Sequence, residues 1–245
     1  MIKPGVIDIS HHQVIPESLV PAQQAGIIGC IHKMTEGTSY IDDKAGARRY
    51  LADQAGLMWG LYHFVQPGSM SDQVDFFVNS AADIADEHTL YALDWEVNGV
   101  TLDDAVEFMQ TLEQRIGRSP VLYSGHIVKE AMSGPDPRIN KYRLWLAQYA
   151  SSPTLPPGWD KYYLWQYTDQ GNCPGVNPPT DLNAFDGTIE ELRASWSGAG
   201  EPVPVPPEPA PSASLVTVIA PENVQIAVIR RPVFGRVKEH AKRGD

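Results

Sequence analysis

The chain has 245 residues, 42% of them hydrophobic and 20% charged, and a net charge of −11. That composition supports a buried core, and 30 acidic against 19 basic residues argue against nucleic-acid binding by phosphate neutralisation. Two cysteines are too few for a disulfide framework or a four-thiolate zinc site.

The N-terminus, MIKPGVIDIS, carries no apolar run of signal-peptide length. No stretch approaches the ~18 apolar residues of a membrane span, so no transmembrane segment is expected. The reading is synthesis in a cytoplasm, with some other agent releasing the protein if it acts outside.

Short apolar runs rich in β-branched and aromatic residues then recur, and they read as strands at 5–10, 27–34, 58–65, 90–96, 120–125, 143–149, 162–168 and 180–185. Helical patterns fall at 42–55, 70–85 and 102–116. Thr101 is placed to cap the third, whose Leu102, Ala105, Val106, Met109 and Leu112 share one face. The later connections look short and irregular.

Residues 200–214, GEPVPVPPEPAPSAS, read as an extended polyproline spacer. It divides a domain at 1–199 from a segment at 215–245 that is too short to bury a core alone. The first domain holds 13 basic and 25 acidic residues, and the last segment 6 basic and 3 acidic. That small basic tail either contacts an anionic cell envelope or another subunit, or is a solubilising end.

Eight strands with helical crossovers give an α/β fold, a (β/α)₈ barrel; about 195 residues is short for it, so some helices should be reduced. A doubly wound open sheet is the alternative. No G-x-G-x-x-G follows a strand, so no dinucleotide cofactor is implied. No His-x-His or His-Glu-x-x-His spacing marks a metal site.

Barrels build their sites at the C-terminal strand ends. The first strand leads into Asp8-Ile-Ser-His11-His12, the fourth ends Asp94-Trp-Glu96, and the eighth carries Asp181. Asp94 and Glu96, two residues apart on a pleated strand, share a face at a spacing of ~6–7 Å. Asp8 and Asp181 converge on them if the first and eighth strands are neighbours. Clustered carboxylates repel, so at least one should stay protonated near neutral pH. A proton donor beside an ionised carboxylate is what glycosidic cleavage requires. The competing readings are a solvated strand-end turn and an acidic metal site.

Among the other residues, Trp145 and Trp165 are candidates for stacking on sugar, with one of the two expected to touch it. Gln148 and Gln166 end the sixth and seventh strands, where amides either bind substrate or support other residues. His63 lines the interior or bonds a carboxylate, while His11 and His12 sit at the rim. Cys30 and Cys173 are expected as free thiols.

The segments GVIDISHHQ, IHKMTEGTSYIDD, GLYHFVQP, ALDWE, VLYSG, LWLAQY, LWQYT and TDLNAF, in order through 5–187, resemble the family 25 glycoside hydrolases, the Chalaropsis-type lysozymes. The resemblance implies a flattened barrel with few helices and N-acetylmuramidase activity on bacterial peptidoglycan, with a phage endolysin released through a holin-type pore as the particular expectation. By position, it implies Glu96 as general acid and Asp94 as the partner that stabilises the charged intermediate or assists the substrate's acetamido group. Asp8 and Asp181 are then the other acids, Lys33 and Tyr40 substrate contacts, and Tyr62 and Tyr123 floor and wall. Direct nucleophilic attack, inversion by water and substrate assistance all stay open. Met34 replaces the alanine common beside the family's lysine and should point away from the site.

A family 18 chitinase also ends a strand in Asp-Trp-Glu, but its further acids would fall at Ala92 and Thr89. A non-catalytic glycan-binding or virion module is the remaining alternative, against which the intact Asp94–Glu96 pair argues.

Overall fold

A computed structural model of the chain describes residues 5–199. The spacer at 200–214 and the segment at 215–245 lie outside the described residues. Nine strands form: β1 (Val6–Ile9), β2 (Gly29–Glu36), β3 (Tyr40–Ile41), β4 (Met58–Phe64), β5 (Leu90–Trp95), β6 (Val121–Ser124), β7 (Arg143–Ala147), β8 (Leu164–Gly171) and β9 (Thr180–Phe185). Eight close into a barrel in the order β1-β9-β8-β7-β6-β5-β4-β2, sealed by the parallel β1–β2 pair, and β3 is a short hairpin partner of β2.

The eighth strand of the barrel departs from a regular (β/α)₈ repeat. β9 runs antiparallel to both β8 and β1, and β8 leads into it without a helix. Asp181 therefore lies near the start of its strand, not at a C-terminal end. Because the strand is reversed, its start is at the same end of the barrel as the C-termini of the parallel strands.

The helices are α1 (Val20–Gln24), α2 (Ala45–Ala55), α3 (Met70–Ala81), α4 (Leu102–Ile116), α5 (His126–Ala131), α6 (Pro137–Asn140) and α7 (Ile189–Ser195). Only α2, α3 and α4 exceed two turns, as the short length requires. α2 starts later than its pattern suggested, because the Asp42 carboxylate accepts the Lys44 and His11 backbone N–H groups and shapes a turn first. Thr101 caps α4 in a reciprocal capping box with Asp104, and Gly117 ends it at φ 69.

Strand alternation sorts the side chains into two layers. Ile7, Cys30, Trp59, Leu61, Leu93 and Leu122 face outward and pack beneath the helices. Val6, Ile31, Met58, Leu90, Ala92 and Val121 fill the interior, joined by Leu192 and Trp196. Trp196 is fully buried and donates its Nε1–H to the Trp59 carbonyl at 2.7 Å. Its ring lies against Gly29, where a Cβ would come within 2.8 Å of it. The segment α7–Trp196 thus plugs the barrel at the strand N-termini, which leaves the opposite end for a cavity. No helix among the described residues is long and apolar enough to cross a membrane.

Candidate active site

At the C-terminal end of the parallel strands, a cavity of about 170 Å³ is lined by Asp8, Tyr62, Asp94, Glu96, Tyr123, Trp145, Tyr149, Gln166 and Asp181. The four carboxylates anticipated from the sequence converge here. Tyr62, Tyr123, Trp145 and Gln166 line the same space.

Backbone pairing fixes the acids. Asp94 sits opposite Phe64 on β4 and Tyr123 on β6, and its carbonyl accepts the Val65 N–H at 3.0 Å. The Trp95 carbonyl accepts the Ser124 hydroxyl at 2.7 Å, and the Trp95 indole donates to the Val100 carbonyl. These bonds hold the chain on both sides of Glu96, which stands just past the strand at the mouth, open to solvent on one side.

The four acids have unlike surroundings. Asp8 is buried and accepts Gln166 Nε2 on both oxygens at 3.0 Å and Asn183 Nδ2 at 2.7 Å. Gln166 Oε1 in turn accepts the hydroxyls of Tyr123 and Tyr149, and Asn183 Oδ1 accepts the Trp145 indole N–H. Both amides are thereby oriented with their NH₂ groups on Asp8. Burial raises the Asp8 pKa, and the amide hydrogen bonds oppose that rise. Asp181 lacks such donors; its partial burial and the Asp8 charge push it up to about 8. Of the two, Asp181 is the better place for a proton near neutral pH.

Asp94 is different again. It is buried, its Oδ1 has no hydrogen-bond partner, and burial, then Glu96 and Asp8, raise its pKa well above the usual carboxylate range. A neutral carboxyl tolerates burial far better than a carboxylate does. Glu96 is raised as well, by the protein walling its inner side and then by the Asp8 charge.

Lys33 is not in the cavity wall. Its ammonium pairs with Glu36 at 2.6 Å and lies over the rings of Phe64 and Tyr40 at 4.8 and 5.3 Å. Tyr40, on β3, is partly exposed and bonds His11 Nδ1 at 2.9 Å. Glu36, Tyr40 and Gln66 line a separate groove. Gln148 also lies beside the cavity, where its Oε1 accepts Lys129 Nζ at 2.6 Å and the Thr154 N–H at 2.9 Å.

One side chain falls elsewhere than expected. His63 neither lines the interior nor meets a carboxylate. Tyr62 faces inward, so His63 faces outward, between Phe77 and Phe108, bonded to Thr35 and Gln73; burial there lowers its pKa to about 4. Of the two candidate tryptophans, Trp145 lines the cavity and Trp165 turns away from it, next to Tyr162 and Tyr167. Met34 joins the outer layer, as expected, and Cys30 and Cys173 are free and buried. His11 is at the rim, paired with Asp42 at 3.2 Å.

Asn183, Tyr149 and Glu36 were not singled out from the sequence. Asn183 and Tyr149 could have been: each is an even number of residues from an inward neighbour, Asp181 and Trp145. Among the described residues, no three His, Cys, Asp or Glu side chains are arranged to hold a metal ion.

A closed barrel whose strand ends gather carboxylates of differing protonation around one cleft is the arrangement of a glycoside hydrolase. The chain belongs to the glycosyl hydrolases family 25, whose model matches residues 7–176. It is 32% identical over 206 residues to Lysozyme M1 of Streptomyces globisporus, covering 77% of this chain and 69% of that protein. It is 30% identical over 176 residues to the uncharacterized protein YegX of Escherichia coli, covering 69% of this chain and 63% of YegX's length. The crystal structure of the bacterial lysozyme from Streptomyces coelicolor superposes with a TM-score of 0.69 at 28% identity, covering 79% of this chain and 97% of that one.

Proposed function

We propose that the protein is an N-acetylmuramidase that cleaves the β-1,4 bond between N-acetylmuramic acid and N-acetylglucosamine in peptidoglycan. The observation that carries this reading is the placing of Asp94: a buried carboxyl with an unpartnered oxygen, its pKa raised by burial, in the same cavity as Glu96. An acetamido N–H placed against that oxygen supplies the missing hydrogen bond. Glu96 then donates its proton to the glycosidic oxygen, and its raised pKa keeps that proton available.

Burial disfavours the ionised form of Asp94 that direct attack on the sugar would need. The substrate's own acetamido oxygen is the attacking group in this reading, with Asp94 orienting it from the nitrogen side. Asp8, whose ionised form the Gln166 and Asn183 amides favour, faces the positive charge that develops at the anomeric carbon.

Digestion of purified peptidoglycan, followed by borohydride reduction, tests the assignment. New muramitol ends are expected. New glucosaminitol ends would place the cut at the other bond, turnover of chitin alone would favour the chitinase-type reading, and wall binding without new ends would indicate a non-catalytic module.

The finer biological reading we carry is a phage endolysin that reaches the wall through a pore. What supports it is the glycoside hydrolase barrel together with the basic residues within 215–245. Production inside a bacterium with and without a co-produced pore former tests it: lysis only with both is expected, and lysis without the pore former contradicts it.

A further inference from the structure

A second groove leaves the acid cavity between β6 and β7. It is lined by Glu96, Tyr123, His126, Lys129, Gln148 and Tyr149, and it shares Glu96, Tyr123 and Tyr149 with the cavity. Lys129 is partly buried and makes no ion pair with any described carboxylate, although the domain at 1–199 holds 25 acidic residues. Its one hydrogen bond, to Gln148 Oε1 at 2.6 Å, leaves two N–H donors unused. Gln148 is itself anchored by the Thr154 N–H, so the ammonium is held in place rather than swinging free. Beside it Tyr149 is 56% exposed, a ring standing at the groove edge while its hydroxyl is tied to Gln166.

An oriented cation with spare donors, in a groove that starts at the acid, suits an anionic substituent on the glycan. We propose that Lys129 binds a carboxylate carried by the muramic acid substituent, and so sets which form of that substituent, peptide-bearing or stripped, the site prefers. This rests on the muramidase reading and names what that site selects. The carboxylate has two possible sources. One is the stem peptide. The other is the lactyl group, which is free only when the peptide has been removed.

The test compares KM and kcat of wild type, Lys129→Met and Lys129→Arg on peptide-bearing strands and on strands stripped by an amidase. For a partly exposed charge-assisted contact, Lys129→Met should raise KM on peptide-bearing strands about fivefold, and Lys129→Arg should restore most of it. The wild-type advantage should shrink as salt is raised, and the Lys129→Met variant should show no such salt dependence. A rise confined to peptide-bearing strands assigns the stem carboxylate. A rise on stripped strands of the same size assigns the lactyl carboxylate. Unchanged KM on both substrates, or an equal fall in kcat on both with a lowered Tm, overturns the proposal. Release of muramic ends by the wild type is read separately, so a functioning muramidase with an idle Lys129 is distinguished from a protein that does not cut the wall.

Discussion

Asp8 and Asp181 are register partners across the antiparallel β1–β9 pair, so the reversed strand holds two carboxyls side by side in the barrel wall. Asp8 has the amides of Gln166 and Asn183 on it and Asp181 has neither, which makes Asp181 the better place for a proton.

That asymmetry has a consequence for stability. Burial and the Asp8 charge push Asp181 up to about 8 in the folded protein, against about 3.9 for a free aspartate. The unfolded chain releases this proton first as pH rises, so stability falls between about pH 4 and about pH 8. Asp181→Asn stays neutral throughout. It should raise Tm at pH 8 by about 2–6 °C, equivalent to on the order of 1–2 kcal/mol once the group's part exposure is discounted, and barely alter Tm at pH 4. Circular dichroism melts at the two pH values check this, and equal shifts at both would contradict it.

The Asp8 charge also acts on Glu96, where it is the second cause of the raised pKa after burial. Asp8→Asn should move the Glu96 titration down, read by carboxyl carbon NMR. The alkaline limb of kcat/KM, set by loss of the Glu96 proton, should move to lower pH in parallel. An unmoved Glu96 titration would separate the two residues electrostatically.

Gln166 and Asn183 act on Asp8 alone among the acids. Replacing Asn183 with Leu leaves Asp8 one donor short and frees the Trp145 indole. An unsatisfied buried charge of this kind costs ~1–3 kcal/mol, so kcat/KM should fall about tenfold or more, and its acid limb should move up as Asp8 protonates more readily. An unshifted limb would mean that Asn183 serves packing only.

Much of this was legible in the sequence, and the rest was hidden for physical reasons. Asp94 and Glu96 follow an apolar run at a spacing of two, and alternation alone puts them on one face. The reversal of β9 was not legible, because a six-residue strand pattern such as TDLNAF looks the same in either direction. Asp181 reached the site regardless, since what matters is the end of the barrel and not the end of the strand. Glu36 escaped for a different reason. It is three residues from Lys33, which places the two on opposite faces of a regular strand. A register shift between Lys33 and Thr35 in the β2–β4 pairing reverses that, and the two side chains meet at 2.6 Å. His63 shows the same rule in reverse: Tyr62 was read as facing in, and that already sends its neighbour out.

The plug at the far end was also not anticipated, since Trp196 lies beyond the last anticipated strand. Trp196→Ala removes a fully buried indole and its bond to the Trp59 carbonyl. A loss of about 3–5 kcal/mol is expected, readable in a urea melt at unchanged m value. A loss below about 1 kcal/mol would show that the barrel interior does not depend on this plug.

The most direct test of the catalytic assignment is kcat on purified peptidoglycan for Glu96→Gln beside the wild type, with Tm and wall binding measured on the same samples. The amide has the same shape but no proton to give at the glycosidic oxygen. A fall of about 10²–10⁴-fold with Tm and binding retained is the expected result. Turnover within about threefold of wild type would remove Glu96 as the acid, and with it the chemistry assigned to this cavity.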